Sequence, residues 1–280
     1  LHKEKALKES KEIIETFTWE NAASIAVNHL KELPRKFVPI KLNTPYENKI
    51  DISFIEKAKV NISGHDLSKK YRVDFYNHET GQLIWGDTLQ LHQFDSNGKP
   101  GDQSGGVWTA PNASYYVKWR VEVKDEYGNL IKQHIFNCKD KKVYIHLDSK
   151  AIGDTIAWFP YVEKFRKLHG CKVVCSTFHN EWFKSLYPEI EFVNPGTQVH
   201  NIYAMYKIGW FYGEDGTFDR FKNPIDFLSI PLQKTASDIL GLPFQEVKPQ
   251  INVKPVDNKL NTKYVTLSMQ STCQAKYWNH

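Results

Sequence analysis

Residues 143–169, VYIHLDSKAIGDTIAWFPYVEKFRKLH, constrain the fold more than any other stretch of the chain. Val143, Tyr144, Ile145 and Leu147 make a short apolar, β-branched run, the signature of a buried strand. Residues 150–153 read as a tight turn ending in Gly153. From Ile156, apolar residues recur at Ile156, Ala157, Phe159, Tyr161, Val162, Phe165 and Leu168, close to helical spacing. Strand, turn and helix in succession predict a parallel sheet with helices on its faces. One carboxylate, Asp154, stands where the turn becomes the helix. Open α/β sheets bind ligands at that corner, beyond the carboxyl ends of their strands.

The same alternation continues downstream. Residues 171–176 (CKVVCS) read as a second strand, 179–186 as a short helix ending before Pro188, and 190–193 as a third strand. Within 224–240, Leu232, Ala236 and Leu240 share one helical face, and Gly241 suits a helix stop. Upstream, the pattern changes. YRVDFYNHETGQLIWGDTLQL alternates and turns at 78–81; residues 113–123 alternate, turn at 127–129 and return as LIKQHIFNC. Short strands with polar turns suggest a small antiparallel barrel or sandwich. The expected class is therefore α/β plus a small all-β domain. Its parts are a charged helical segment (1–37), the β-rich domain (38–141), a Rossmann-like domain (142–250), a polar linker (251–262) and the start of a second Rossmann-like domain (263–280). Residues 96–106 read as a loop, and the strand at 264–267 opens a second sheet that is cut short, so a truncated product or completion by another chain is expected.

The 280 residues suffice for two domains and a sizeable core. A net charge of +5 is mild and its basic residues are scattered, which weakens a nucleic-acid reading and suits an acidic small molecule such as a nucleotide sugar. No apolar run is long enough for a membrane span, and residues 1–17 carry no signal-peptide core, so a cytoplasmic location is expected. Cys138, Cys171, Cys175 and Cys273 lack CxxC pairing and flanking histidines, which favours buried thiols over zinc or a disulfide.

Three places carry candidate chemistry. Asp154 is either a general base that takes a proton from an attacking hydroxyl or a helix cap. Gly153 fits both readings, because glycine permits a tight turn and close backbone approach. Ser271, Thr272 and Lys276 follow the 264–267 strand, where hydroxyls and a lysine suit phosphate oxygens; an exposed polar tail is the alternative. Trp278 suits stacking on a base or sugar, or core packing. The aromatic run 200–212 (HNIYAMYKIGWFY) is an acceptor surface or a wall of the core. His179 and His200 are pocket or structural histidines. GxGxxG, Walker A, HExxH and GxSxG motifs are absent.

LDSKAIGDTIAWFPYVEKFRKLHG resembles the start of the catalytic half of family 9 glycosyltransferases, the ADP-heptose transferases. The likeness is nearest to bacterial autotransporter heptosyltransferases, which modify serine hydroxyls of adhesin passenger domains. CKVVCSTFHNEWFKSLYPEIEFVNPG, HNIYAMYKIGWFY, PLQKTASDILGL and SMQSTCQAKYWNH support it, and 38–138 resembles the small barrel preceding that catalytic domain. The resemblance implies a GT-B fold, two Rossmann-like domains across a cleft. It implies an inverting transfer in which Asp154 activates a serine hydroxyl that displaces ADP from ADP-heptose. Gly153, Thr155, Ser271, Thr272, Lys276 and Trp278 would bind substrate, Lys276 at the donor phosphates. No metal is required in this chain; an iron-binding, cysteine-rich finger belongs to the family's later part, and none of the four cysteines matches it. The implied partners are a nucleotide sugar, an adhesin passenger domain and further copies of the chain in a homo-oligomer, without nucleic acid. Two rivals stay open: a lipopolysaccharide ADP-heptose transferase, and a non-catalytic binding or assembly module.

Overall fold

Hydrophobic alternation sets where strands form, and the computed structural model shows which strands pair. It describes residues 48–64, 66–91, 106–253 and 263–265, all within one compact unit, Glu47–His280. The expected helical segment 1–37, nearly all of the 96–106 loop, most of linker 251–262 and residues 266–280 lie outside the described residues. Along the chain come β1 (Lys49–Ile55), β2 (Lys59–Ser63), β3 (Lys70–Asn77), β4 (Leu83–Gln90), β5 (Val107–Thr109), β6 (Trp119–Lys124), β7 (Leu130–Ile135) and β8 (Lys142–Leu147). Then follow α1 (Ile152–His169), β9 (Lys172–Ser176), β10 (Ile190–Val193), β11 (Ala204–Ile208) and α2 (Leu232–Ile239), with 3-10 turns at Asn180–Trp182 and Phe227–Ser229.

The main sheet has the order β10-β9-β8-β11-β1-β2-β5. It is parallel from β10 to β1 and antiparallel from β1 to β5. β8 turns Val143, Ile145 and Leu147 into the core, all fully buried. Against them α1 buries Trp158, Phe159, Tyr161, Val162 and Phe165. Full burial of such side chains is worth about 1.5–3 kcal/mol each, against about 1 kcal/mol for an N-cap. Packing therefore holds α1 even though Ala151, at its N-cap, makes no side-chain cap bond. Arg166 and Lys167 in the last turn complement the helix dipole. Gly170 ends the helix in the left-handed region at φ 58°. The helix starts at Ile152, four residues before the apolar spacing begins. Its first two residues, Ile152 and Gly153, are exposed, and the next two are polar, so the first turn carries no apolar periodicity.

The β-rich stretch does not close on itself. β3, β4, β6 and β7 form an antiparallel sheet, β4-β3-β6-β7, with the expected turn between β3 and β4. β1, β2 and β5 instead extend the main sheet, because β1 pairs in parallel with β11 at Phe54↔Ala204 and Ile55↔Met205. Aromatic packing seals this junction. Phe54 meets Phe136 edge-on at 5.0 Å and Tyr203 at 5.3 Å. The expected strand at 113–123 forms only from Trp119. Ahead of it, Ser114 N–H donates to Phe221 O (2.7 Å) and Tyr116 N–H to Ile239 O (2.8 Å). The Tyr116 ring lies among Phe136, Phe165 and Tyr206. Both sheets consequently share one buried cluster, running from Val73 and Phe75 to Ile145 and Phe165. Cys138, Cys171 and Cys175 are buried thiols within it.

Gly241, just past α2, has φ 64°, and a Cβ there would overlap the Tyr116 ring. Gly216 has φ 78° with open space around it. Gly216→Ala is expected to cost about 1–2 kcal/mol, from backbone strain alone. Gly241→Ala adds overpacking of about 1–3 kcal/mol, so thermal unfolding should show the larger drop for Gly241→Ala.

Candidate active-site corner

The strand order reverses between β8 and β11. From β8 the chain passes through α1 to β9 and then β10 on one side, and it returns as β11 on the other. In open α/β sheets this switch point opens a crevice at the carboxyl ends of the strands. Residues 148–154 leave β8 there, 177–179 leave β9, and 209–212 leave β11.

Asp154 lies in this crevice as the third residue of α1, half-buried. It is not the helix cap. Its Oδ2 accepts two side-chain hydrogen bonds, from Ser149 Oγ at 2.7 Å and from Trp210 Nε1 at 3.0 Å. Oδ1 makes no hydrogen bond among the described residues, so one oxygen is fixed and the other is left without a partner there. Ser149 is itself oriented, accepting from Ala151 N–H at 3.1 Å. Trp210 is wedged between Trp158 (5.4 Å between centroids) and Phe227 (4.9 Å). The fully buried Trp158 donates from Nε1 to Leu232 O at 3.0 Å, which ties this aromatic stack to the start of α2.

The outgoing loop of β11 is held by Asn223, which is 1% exposed. Its Nδ2 donates to Gly209 O (3.1 Å) and its Oδ1 accepts from Phe211 N–H (3.2 Å). Across the crevice, His179 stacks on Trp182 at 4.1 Å and 10°. One His179 ring nitrogen lies 3.1 Å from Lys150 O and links the β8 and β9 loops. His179 is thus structural in this corner, and His200 lies in the connection between β10 and β11.

Of the other expected site residues, Gly153 is exposed, has no positive φ, and leaves open space where a Cβ would stand. Nothing in the fold requires glycine there. Thr155 is fully buried, and its hydroxyl donates to Ala151 O at 3.1 Å within the first turn of the helix. Ser271, Thr272, Lys276 and Trp278 lie outside the described residues. The aromatic run divides: Tyr206 and Ile208 are core wall, Trp210 reaches Asp154, and Phe211 follows it half-buried. Ser149 and Trp210 were not singled out as partners of Asp154. Ser149 was open to inspection, five residues away in the same turn; Trp210, 56 residues on, was legible only as part of an aromatic run after a strand. Among the described residues no group of three or more His, Cys, Asp or Glu could hold a metal ion, and no helix is long and apolar enough to cross a membrane.

No protein-family model matches the chain. Among curated proteins, it is 36% identical over 179 residues to the autotransporter heptosyltransferase Aah of Escherichia coli, covering 62% of this chain and 44% of Aah. It is 30% identical over 178 residues to the autotransporter heptosyltransferase TibC of enterotoxigenic Escherichia coli, covering 62% of this chain and 42% of TibC. The chain's relatives are autotransporter heptosyltransferases. One, BimC of Burkholderia thailandensis, is an inactive member, 28% identical over 167 residues, 59% of this chain and 38% of BimC. The crystal structure of TibC, an iron-containing dodecameric glycosyltransferase, superposes with a TM-score of 0.65 at 24% identity, over 82% of this chain and 55% of that one. TibC has also been crystallised with ADP-D-β-D-heptose. The fold is therefore shared with TibC, and the chain spans less than half the length of the curated relatives it matches.

His146, on β8 two residues before Asp148, is held below its ordinary value by burial, against the pull of Asp148. Burial also lowers His134 and His169. A lowered histidine stabilises the fold fully above its unfolded value of 6.5, and that stability is lost as pH falls through the lower native value. The thermal midpoint is expected to drop between pH 7 and 5, and less steeply in His146→Gln.

Proposed function

We propose that the chain is the acceptor-side part of an inverting glycosyltransferase of GT-B architecture that moves heptose from ADP-heptose to serine hydroxyls of an autotransporter adhesin. The observation that carries this reading is Asp154 at the switch point, with Oδ2 held by Ser149 and Trp210. The similarity to Aah and TibC supports the donor and acceptor classes. In this mechanism Oδ1 of Asp154 takes the serine proton as the serine oxygen bonds to the anomeric carbon. The bond from that carbon to the diphosphate breaks on the opposite face, and ADP leaves with the electron pair. Lys276 offsets the charge developing on the departing phosphate, and Ser271, Thr272 and Trp278 hold the nucleotide. Gly153 lets substrate approach the helix backbone.

A cytoplasmic location and a homo-oligomer belong to the same reading, the latter supported by dodecameric TibC. Iron, part of TibC, finds no donor set among the described residues, so it would be held elsewhere and no step passes through it. A second reading, a non-catalytic assembly module, draws on the inactive relative BimC.

In the protein together with its nucleotide-binding part, Asp154→Asn is expected to lower transfer by about 10²–10⁴ and leave ADP-heptose affinity in calorimetry unchanged. Wild-type turnover by Asp154→Asn would remove Asp154 from the chemistry, and a wild-type protein that neither binds the donor nor transfers would favour the assembly module. Trp210→Phe keeps the stack but loses the Nε1–H donor, and it should lower kcat with the thermal midpoint nearly intact. Gly153→Ala should leave the midpoint unchanged or slightly raised, since alanine suits a helix better than glycine by about 1 kcal/mol. The same variant should raise KM for the acceptor; an unchanged KM would mean that no ligand approaches there.

A further inference from the structure

A second recess opens beside the Asp154 corner. It has a volume of about 610 Å3 and lies between the exit of β1 and the loop that follows β11. It exists because two strands part company. β1 and β11 pair only at Phe54↔Ala204 and Ile55↔Met205, and the chain then swings away at Glu56, in the left-handed region at φ 63°. Its walls carry Lys57, Lys207 and Lys222 against Glu56, Asp148 and Asp219, with Phe211 and Phe221 between them.

The floor of the recess is an open strand edge. Successive residues of a strand present their backbone groups to opposite neighbours. Ile208 O accepts from Asp148 N–H at 2.8 Å, so Ile208 faces β8 and Lys207 faces the side that β1 has left. Two residues on, Gly209 O is satisfied by the Asn223 side chain (3.1 Å), which takes the place a strand would occupy. Between these points the N–H and C=O of Lys207 have no strand partner among the described residues. Three carboxylates balance the three lysines of the lining, so a nucleotide diphosphate finds no net positive charge there, and the six charged side chains oppose a purely apolar guest. A polar polypeptide in extended form satisfies the edge, the charges and the two rings together, by strand addition.

We propose that this recess seats the acceptor polypeptide as an added strand segment on β11, an inference that rests on the acceptor-side reading above. Asp148 lines the recess, and its neighbour Ser149 holds Asp154. The Phe211 ring and Asp148 both lie against Gly209, where a Cβ would come within 2.9 Å of the ring and 3.2 Å of the Asp148 Cβ. An occupied recess thus brings a hydroxyl-bearing residue to the edge where Asp154 stands. Phe211 and Phe221 are specificity contacts for the residues flanking that hydroxyl.

The test places the photo-reactive residue p-benzoylphenylalanine at Phe221 and, as a control, at Leu130 on β7, both exposed. The protein together with its nucleotide-binding part is illuminated with a purified autotransporter passenger fragment. Hydrogen exchange of residues 204–209 is followed with and without that fragment, and heptose transfer is assayed in the same preparation. The proposal expects a cross-link from position 221, none from 130, and slower exchange over 204–209. Equal cross-linking from both positions, or none with unchanged exchange, overturns it. Transfer without the cross-link removes the recess and leaves the transferase reading standing. A cross-link with protected exchange but no donor binding or transfer does the reverse.

Discussion

The carboxyl edge of the main sheet depends on one hydrogen-bonded corner, in which Ser149 Oγ and Trp210 Nε1 share the same oxygen of Asp154. The two donors come from opposite sides of the switch point, one from the β8 loop and one from the β11 loop. Their bonds therefore fasten two strand exits to the first turn of α1. The indole is held in turn by Trp158 and Phe227, whose rings flank it. A carboxylate fixed through one oxygen keeps the other in a set direction, and preset direction is what a proton acceptor needs when chemistry depends on near-attack geometry.

The extension of the sheet by β1, β2 and β5 gives the β-rich stretch a part in this corner. A separate module would have left β11 as a sheet edge along its whole length. Pairing over two residues covers the first half of that edge, and the departure of β1 at Glu56 opens the rest. The aromatic contacts of Phe54, Tyr116 and Phe136 make the junction part of the common core, so the recess has fixed walls. Binding surface and carboxylate thereby stand on the same β11 and β8 exits.

How far the sequence carried this picture varies from residue to residue. The strand at 143–147 and the helix behind it, with Asp154 in its first turn, were legible because they depend on local periodicity and on one short turn. β10 came out with the bounds expected for it. The partners of Asp154 were less so: Trp210 meets it only after the sheet has brought β11 beside β8, and spacing in a sequence does not encode that approach. The pairing of β1 with β11 was invisible for the same reason, since alternation identifies a strand and not its neighbour. The direction of Thr155 was not legible either: its position beside Asp154 in the turn says nothing of where its hydroxyl goes, which is to Ala151 O inside the fold.

Chemical rescue tests the central claim, that Asp154 accepts the proton of the attacking hydroxyl, most directly. Asp154→Ala leaves a space beside Ser149 and Trp210 that a small carboxylate such as formate can enter. Heptose transfer to a serine-containing acceptor would be followed by intact mass, with increasing formate, for this variant and for the unaltered protein. The account predicts that formate restores transfer in Asp154→Ala in a saturable way and does nothing for the unaltered protein. Transfer by Asp154→Ala that is undiminished without formate would contradict it, as would a lost activity that no carboxylate restores.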